Sequence, residues 1–175
     1  PTIEKHIFFE RLVNRYKIVY SLMTTGQIKN KKAQSRLAYF NHIATKGDQN
    51  ALPNLFKNAL TVGYPGLAGE IGREIYLTSG FDEAKRLKYL FASLELLAGG
   101  DVSTEKIEAY EVKKSAVEKS IHKVIKAKNL TSKEAQDFNF LLSRFREHFF
   151  KLKDFDYIIT LSDITMELSK RLNDA

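Results

Sequence analysis

The segment from Gly63 to Glu74 repeats glycine at every third position beside ionisable side chains. If Pro65 opens a helix there, the free N–H groups of its first turn could hold an anion. Glycines would let a phosphate or carboxylate approach the backbone. The residues that would line this ligand pocket are Tyr64, Gly66, Gly69, Glu70 and Arg73. The structural alternative is a thin helix flank against which a second helix packs closely.

The same segment offers the only grouping that suggests acid–base chemistry. Glu70 and Glu74 lie one helical turn apart with Arg73 between them, near Tyr64 and Tyr76. Such a cluster could move protons if it lay in a pocket, but pairs of this kind are also common on helix surfaces. The segment matches neither the strand-associated dinucleotide fingerprint nor a phosphate-binding loop.

Histidine and acidic residues at metal-ligand spacing are sparse. His6 with Glu10, and Glu118 with His122, lie one turn apart and offer two ligands each. A carboxylate metal site in a helical bundle needs more, so the sequence predicts no metal and no cofactor. Neither a Gly-x-Ser-x-Gly elbow nor a His-Glu-x-x-His motif occurs.

Basic residues concentrate in two segments. The stretch 28–46 contains five basic residues and no acidic one, and the stretch 103–128 is rich in lysine. A cationic face could hold phosphates through counterion release, whereas a merely soluble basic surface is the plainer explanation. The candidate nucleic-acid-binding residues are Lys29, Lys31, Lys32, Arg36, Lys113 and Lys114.

Aromatic residues exceed what one helix seam can bury. Phe140 and Phe150 fall outside the row that contains Phe138, Phe145 and Phe149. Either a second layer of helices covers them or they form an exposed apolar surface, the usual mark of a partner site. The candidate partner-binding residues are Phe9, Phe140, Phe150 and Tyr157.

Helix start and stop signals punctuate the whole chain. In the first half, Thr2 and Asp82 fit N-caps and Pro53 and Pro65 fit first-turn positions, while glycines follow each apolar run. The first helix, residues 2 to about 25, is apolar around most of its circumference, which predicts a central position. No segment alternates convincingly as a strand does.

Three long helices are predicted in the C-terminal half. Ser103 and Thr131 fit N-caps, and Thr131 begins a capping box with Glu134. The apolar spacing predicts one helix from Ser103 to Lys128, roughly 39 Å long, followed by two helices joined by short loops. Short connections favour antiparallel neighbours.

Composition bounds the class of protein. The chain has 175 residues, 43% of them hydrophobic, a formal net charge of +7 and no cysteine. These values fit one globular domain and exclude disulfides and thiolate metal sites. No apolar run reaches the length of a membrane helix and no leader is recognisable. We therefore expect a cytoplasmic protein that contacts no membrane, with leaderless secretion as the alternative.

The sequence therefore predicts a single all-α domain, residues 1–175, of about seven helices. Residues 2–25 and 103–173 would form the bundle, and short helices within 51–80 would flank it. The preferred function is that of a non-catalytic module that docks another protein, with homo-oligomerisation open. The alternatives are a nucleic-acid-binding accessory protein, with DNA or RNA as partner, and a ligand or enzymatic site at residues 63–74.

Overall fold

The computed structural model describes residues 2–26, 29–127 and 129–173; within these, the side chains of residues 2–9, 16, 23, 172 and 173 lie outside the description. The described residues form α-helices, one 3-10 turn at Gln49–Ala51 and no strand, which confirms the all-α prediction. The α-helices are α1 (Thr2–Thr24), α2 (Lys31–Ala44), α3 (Leu52–Thr61), α4 (Pro65–Leu77), α5 (Glu83–Leu97), α6 (Thr104–Ala109), α7 (Lys114–Lys126), α8 (Ser132–Lys151) and α9 (Phe155–Asn173).

Local signals set most of these boundaries. The side chains of Asp82, Ser103 and Thr131 each accept a hydrogen bond from the backbone N–H three residues ahead, as N-caps do. Gly63 and Gly99 follow α3 and α5 with φ of 69° and 74°, the left-handed conformation that glycine adopts without a Cβ penalty.

A first hydrophobic core forms around α4. Leu67, Ala68, Ile71 and Ile75 are fully buried on this helix, and they pack with side chains of α2, α3, α5 and α6. Phe56 of α3 meets Tyr89 of α5 edge to face, with ring centroids 5.1 Å apart. The short helices between residues 51 and 80, expected only to flank a bundle, therefore have a core of their own.

A second core lies among α5, α7, α8 and α9. Its fully buried members include Leu90 and Leu94 on α5 and Phe138 and Phe145 on α8. Because Tyr89 and Ala92 of α5 belong to the first core, α5 contributes to both. Helix α5 thus contacts α4 and α6 of the first core and α7 and α8 of the second.

The long helix predicted from Ser103 is divided in two. The chain leaves helical geometry at Tyr110, whose ψ is 129°, and resumes it at Lys114. Tyr110 packs against both cores and meets the Phe91 ring edge to face at 5.1 Å. The apolar spacing is interrupted at Lys114, where helical geometry resumes, but it continues on both sides, so the sequence did not indicate two separate helices.

The first helix occupies a different place from the one expected. It packs mainly against α2, and none of its described side chains is buried. Ile18 is 63% exposed, and Leu12 and Leu22 are also exposed. The prediction of a central α1 is therefore wrong for the described side chains, because α1 packs mainly against one helix. Val13, Val19 and Tyr20 are half-buried and its other described side chains are exposed.

Candidate functional site

A cluster of exposed apolar side chains lies where α8 turns into α9. Phe150, Leu152, Phe155 and Ile159 are between 55% and 64% exposed. The Phe150 and Phe155 rings meet edge to face with centroids 6.0 Å apart. We call these four residues the hairpin surface. Four large apolar side chains this exposed and this close together are unusual on a monomeric protein.

A tight connection holds the hairpin surface in place. Lys153 adopts a φ of 57°, and its N–H donates to the carbonyl of Phe150. The N–H of Asp154 donates to the carbonyl of Phe149, so the end of α8 is fully capped. Asp154 in turn accepts a hydrogen bond from the N–H of Tyr157 at the start of α9. The turn therefore fixes the distance between Phe150 and Phe155.

The outer face of α9 extends this surface. Met166 lies on the same helical face as Phe155 and Ile159 and is likewise exposed. Asp156 follows Phe155 directly, and Asp163 lies one helical turn after Ile159. Both aspartates are exposed, and neither pairs with a basic side chain in the described part of the chain. The outer face of α9 thus combines an apolar stripe with an adjacent acidic row.

The aromatic residues selected from the sequence separate into three environments. Phe150 belongs to the hairpin surface, and Phe140 is half-buried with the Arg144 guanidinium 5.1 Å from its ring centre. Tyr157 is 3% exposed and contacts the Phe149 ring, so its assignment to a partner surface is wrong. The reason is that α9 turns Tyr157 and Leu161 into the second core and leaves Ile158 only partly buried. Phe9 lies outside the described side chains.

A network of charged side chains joins α2, α4 and α8. The Glu70 carboxylate accepts from the Arg36 guanidinium at 2.5 Å and from Lys133 Nζ at 2.6 Å. Arg36 also donates to the Tyr64 hydroxyl at 2.9 Å. Burial of Glu70 favours a higher pKa, but the Lys133 hydrogen bond and the Arg36 charge outweigh it and lower the pKa. Glu70 therefore remains ionised as the link between two cations.

A second ion pair lies beside this network. Arg73 Nη2 is 3.2 Å from Asp137 Oδ1, which again connects α4 with α8. Burial raises the pKa of Asp137, and the neighbouring Arg73 only partly offsets it. The two charged residues among the five candidate pocket residues, Glu70 and Arg73, are thus engaged in contacts between helices.

The five candidate pocket residues are brought near one another but do not line one cavity. Gly66, Gly69 and Arg73 line a cavity of about 290 Å³ between α4, α5 and the start of α8. Glu70 and Arg73 line a second cavity of about 310 Å³ next to α2. The ring of Tyr64 instead lies against the Arg36 guanidinium, whose central carbon is 5.1 Å from the centre of the ring. Tyr76 lies elsewhere, against Arg86, so the proposed pairing of Tyr64 and Tyr76 around one acid–base site is wrong.

Close packing explains one of the helical glycines. A Cβ at Gly72 would lie 2.4 Å from Ser93 Oγ, so α4 and α5 could not approach as they do with a larger residue. A Cβ at Gly66 would meet only the edge of Tyr64 at 4.0 Å, and one at Gly69 only Arg73 at 3.6 Å. Gly72 therefore fits the packing interpretation, whereas Gly66 and Gly69 face a cavity.

The candidate nucleic-acid residues fall into two separate groups. Lys29, Lys31 and Lys32 are exposed at the start of α2 and form no ion pair within the described ranges of the chain. Arg36 is occupied by Glu70, while Lys113 pairs with Glu111 and Lys114 lies 3.2 Å from Asp154. The helix α2 packs on α1 and α3 whereas α7 packs on α5, so the two basic segments do not adjoin.

An apolar cavity that the sequence did not indicate lies between α7, α8 and α9. It has a volume of about 310 Å³ and is lined chiefly by Ile125, Leu130, Phe138, Ile164 and Leu168. Glu167 and Arg171 form an ion pair that also lines it. The sequence could have indicated this cavity through Ile125 and Leu130, two apolar residues that lie outside the row formed by Val117, Ile121 and Val124 on α7. In the structure both are only partly buried.

The part of the chain that the structure describes contains neither a metal-binding cluster nor a membrane-spanning helix. No group of three His, Asp or Glu side chains is arranged there to hold a metal ion. No helix among the described residues is both long enough and apolar enough to cross a bilayer. The chain matches no protein-family model, no curated protein and no solved structure.

Proposed function

We propose that this protein is a non-catalytic interaction module that docks a protein partner on the hairpin surface. The observation that carries the proposal is the exposure of Phe150, Leu152, Phe155 and Ile159 on a rigid turn. Removing such side chains from water drives most protein association, and aromatic residues dominate the energy of interfaces. Because the turn is fully hydrogen-bonded, little ordering free energy is lost on docking.

Site-specific crosslinking tests this function. A photoreactive residue at position 159 should capture one protein from an extract of the producing organism. The same residue at position 108, exposed on α6, should not capture it. The captured protein is then purified and its affinity for the chain is measured by titration calorimetry.

Substitutions then locate the interface. F155S and I159S should each weaken binding at least tenfold, since a buried aromatic or aliphatic anchor is worth about 1.5–3 kcal/mol. The matched control is L77S, which removes an exposed apolar side chain from α4. Equal affinity of the two hairpin variants and the control, or capture that does not depend on position 159, would refute the proposed function.

A second candidate function is nucleic-acid binding through the start of α2. The supporting observation is that Lys29, Lys31 and Lys32 are exposed and do not pair with any acidic side chain that the structure describes. Binding of a single- or double-stranded oligonucleotide should weaken as salt rises, and K29E/K31E/K32E should reduce the slope of that dependence. Absence of binding at low ionic strength would eliminate this candidate.

A further inference from the structure

The first helix presents an exposed face that resembles a binding element. Ile18 and Leu22 lie one turn apart, and Arg11 and Arg15 share their side of the helix. Both apolar side chains are exposed, and neither arginine forms an ion pair with a described side chain. This face of α1 is therefore apolar and basic, and no described side chain outside α1 pairs with its arginines.

The charges of α1 and α9 are complementary. From Arg11 to Leu22 the chain has three basic residues and no acidic one. From Phe155 to Glu167 it has three acidic residues and no basic one. Each segment spans about three helical turns and exposes apolar side chains at helical spacing. The two faces therefore match in length, in apolar spacing and in opposite charge.

We propose that the partner on the hairpin surface is a second copy of this chain, whose α1 packs along the outer face of α9. This inference rests on the proposed function and names its partner. With the two helices antiparallel, Ile18 and Leu22 of one copy would cover Ile159 and Phe155 of the next. Arg15 and Arg11, three and seven residues before Ile18, would then lie level with Asp163 and Glu167. Pairing two α9 faces would instead bring acidic rows together, and pairing two α1 faces would oppose arginines.

Such an interface joins two different faces, α1 of one copy and α9 of the next. Two copies can exchange both contacts in a two-fold dimer, and otherwise successive copies form a larger ring or an open chain. Its strength should fall with salt, because the charges involved are exposed.

Charge reversal on each face tests the arrangement. Analytical ultracentrifugation of the full chain should show an average mass that rises with concentration from the micromolar to the millimolar range. D163K/E167K and R11E/R15E should each weaken association at least tenfold. The control E105K/E108K makes the same change of charge on exposed residues of α6 and should leave association unchanged. Circular dichroism establishes that each variant is folded, and I18S replaces R11E/R15E if that variant is not.

Two combinations distinguish the contact between α1 and α9 from other contacts. In a mixture of the two charge-reversed variants every α1 face can meet an α9 face of opposite charge on the other variant, so the mixture should associate although neither variant does so alone. The fourfold variant restores opposite charges in reverse order and should associate again. Failure of both results would overturn the inference, as would a wild-type chain that stays monomeric at every concentration.

The outcome also separates this inference from the function beneath it. A monomeric chain whose position 159 captures a different protein overturns the second copy as partner and leaves the interaction module in place. A monomeric chain that captures nothing overturns both.

Discussion

Replacing Gly72 by alanine should destabilise the fold even though alanine is the better helix former. The new Cβ would lie 2.4 Å from Ser93 Oγ, 3.2 Å from the Tyr89 carbonyl oxygen and 3.3 Å from a ring carbon of Phe56. Two of these neighbours are backbone or a packed ring, so they cannot move aside easily. Overpacking of this kind costs about 1–3 kcal/mol.

Ser93 adds a second contribution. Its buried hydroxyl lies 3.0 Å from the Tyr89 carbonyl oxygen and 3.2 Å from that of Gly69. Displacing this hydroxyl would weaken its hydrogen bonds and destabilise the variant by about 1 kcal/mol. Alanine is preferred over glycine in a helix, which stabilises the variant by about 1 kcal/mol. The expected net loss in the free energy of unfolding is therefore about 2 kcal/mol.

Urea denaturation followed by circular dichroism measures this loss. The matched control is Gly66→Ala, where a Cβ meets nothing closer than 4.0 Å; it should stabilise α4 by up to about 1 kcal/mol. In the Gly72→Ala background, Ser93→Ala should recover part of the stability, because it removes the closest atom. The reasoning fails if Gly72→Ala is as stable as the wild type, or if Gly66→Ala loses as much stability as Gly72→Ala.

Three further predictions concern buried polar groups. Glu70 has a pKa below its ordinary value, so its stabilising effect is complete above about pH 4.5 and is lost as the pH falls through the folded-state pKa. The urea midpoint of the wild type should therefore fall between roughly pH 6 and pH 3, and that of E70Q should fall less. An equal fall in both proteins would contradict this. Burial lowers the pKa of His148, so stability should fall as the pH drops below about 6.5, and H148Q should remove that fall in melting temperature. The Tyr157 hydroxyl is buried and has no hydrogen-bond partner among the described residues, so Y157F should be neutral or more stable by about 1 kcal/mol. A clear loss of unfolding free energy would show that the hydroxyl is satisfied.

Local sequence signals predicted the helix ends well. The N-caps Asp82, Ser103 and Thr131 depend only on a side-chain oxygen and nearby backbone N–H groups, so tertiary structure hardly alters them. The break at Tyr110 could not be predicted in this way. It depends on the contact of Tyr110 with Phe91, which lies in another helix.

The candidate surface was predictable only in part. Off-seam spacing correctly separated Phe150 from the buried row of α8. Spacing could not decide that α9 buries Tyr157 and exposes Ile159, because both residues belong to apolar stripes of nearly equal width. Likewise, an apolar circumference on α1 fits either a central helix or an exposed one that binds another molecule. Which side of a helix is covered depends on the neighbouring helices, and these are not encoded within its own segment.

The position of α5 between two cores has a consequence for how the molecule opens. Tyr89 and Leu90 are adjacent in the chain, yet each is buried in a different core. Since α5 contributes side chains to both cores, disrupting either core also removes packing contacts from α5. The two cores should therefore unfold together as one cooperative unit. The amide hydrogens of α5 should then exchange with solvent only through global unfolding, more slowly than those of α1.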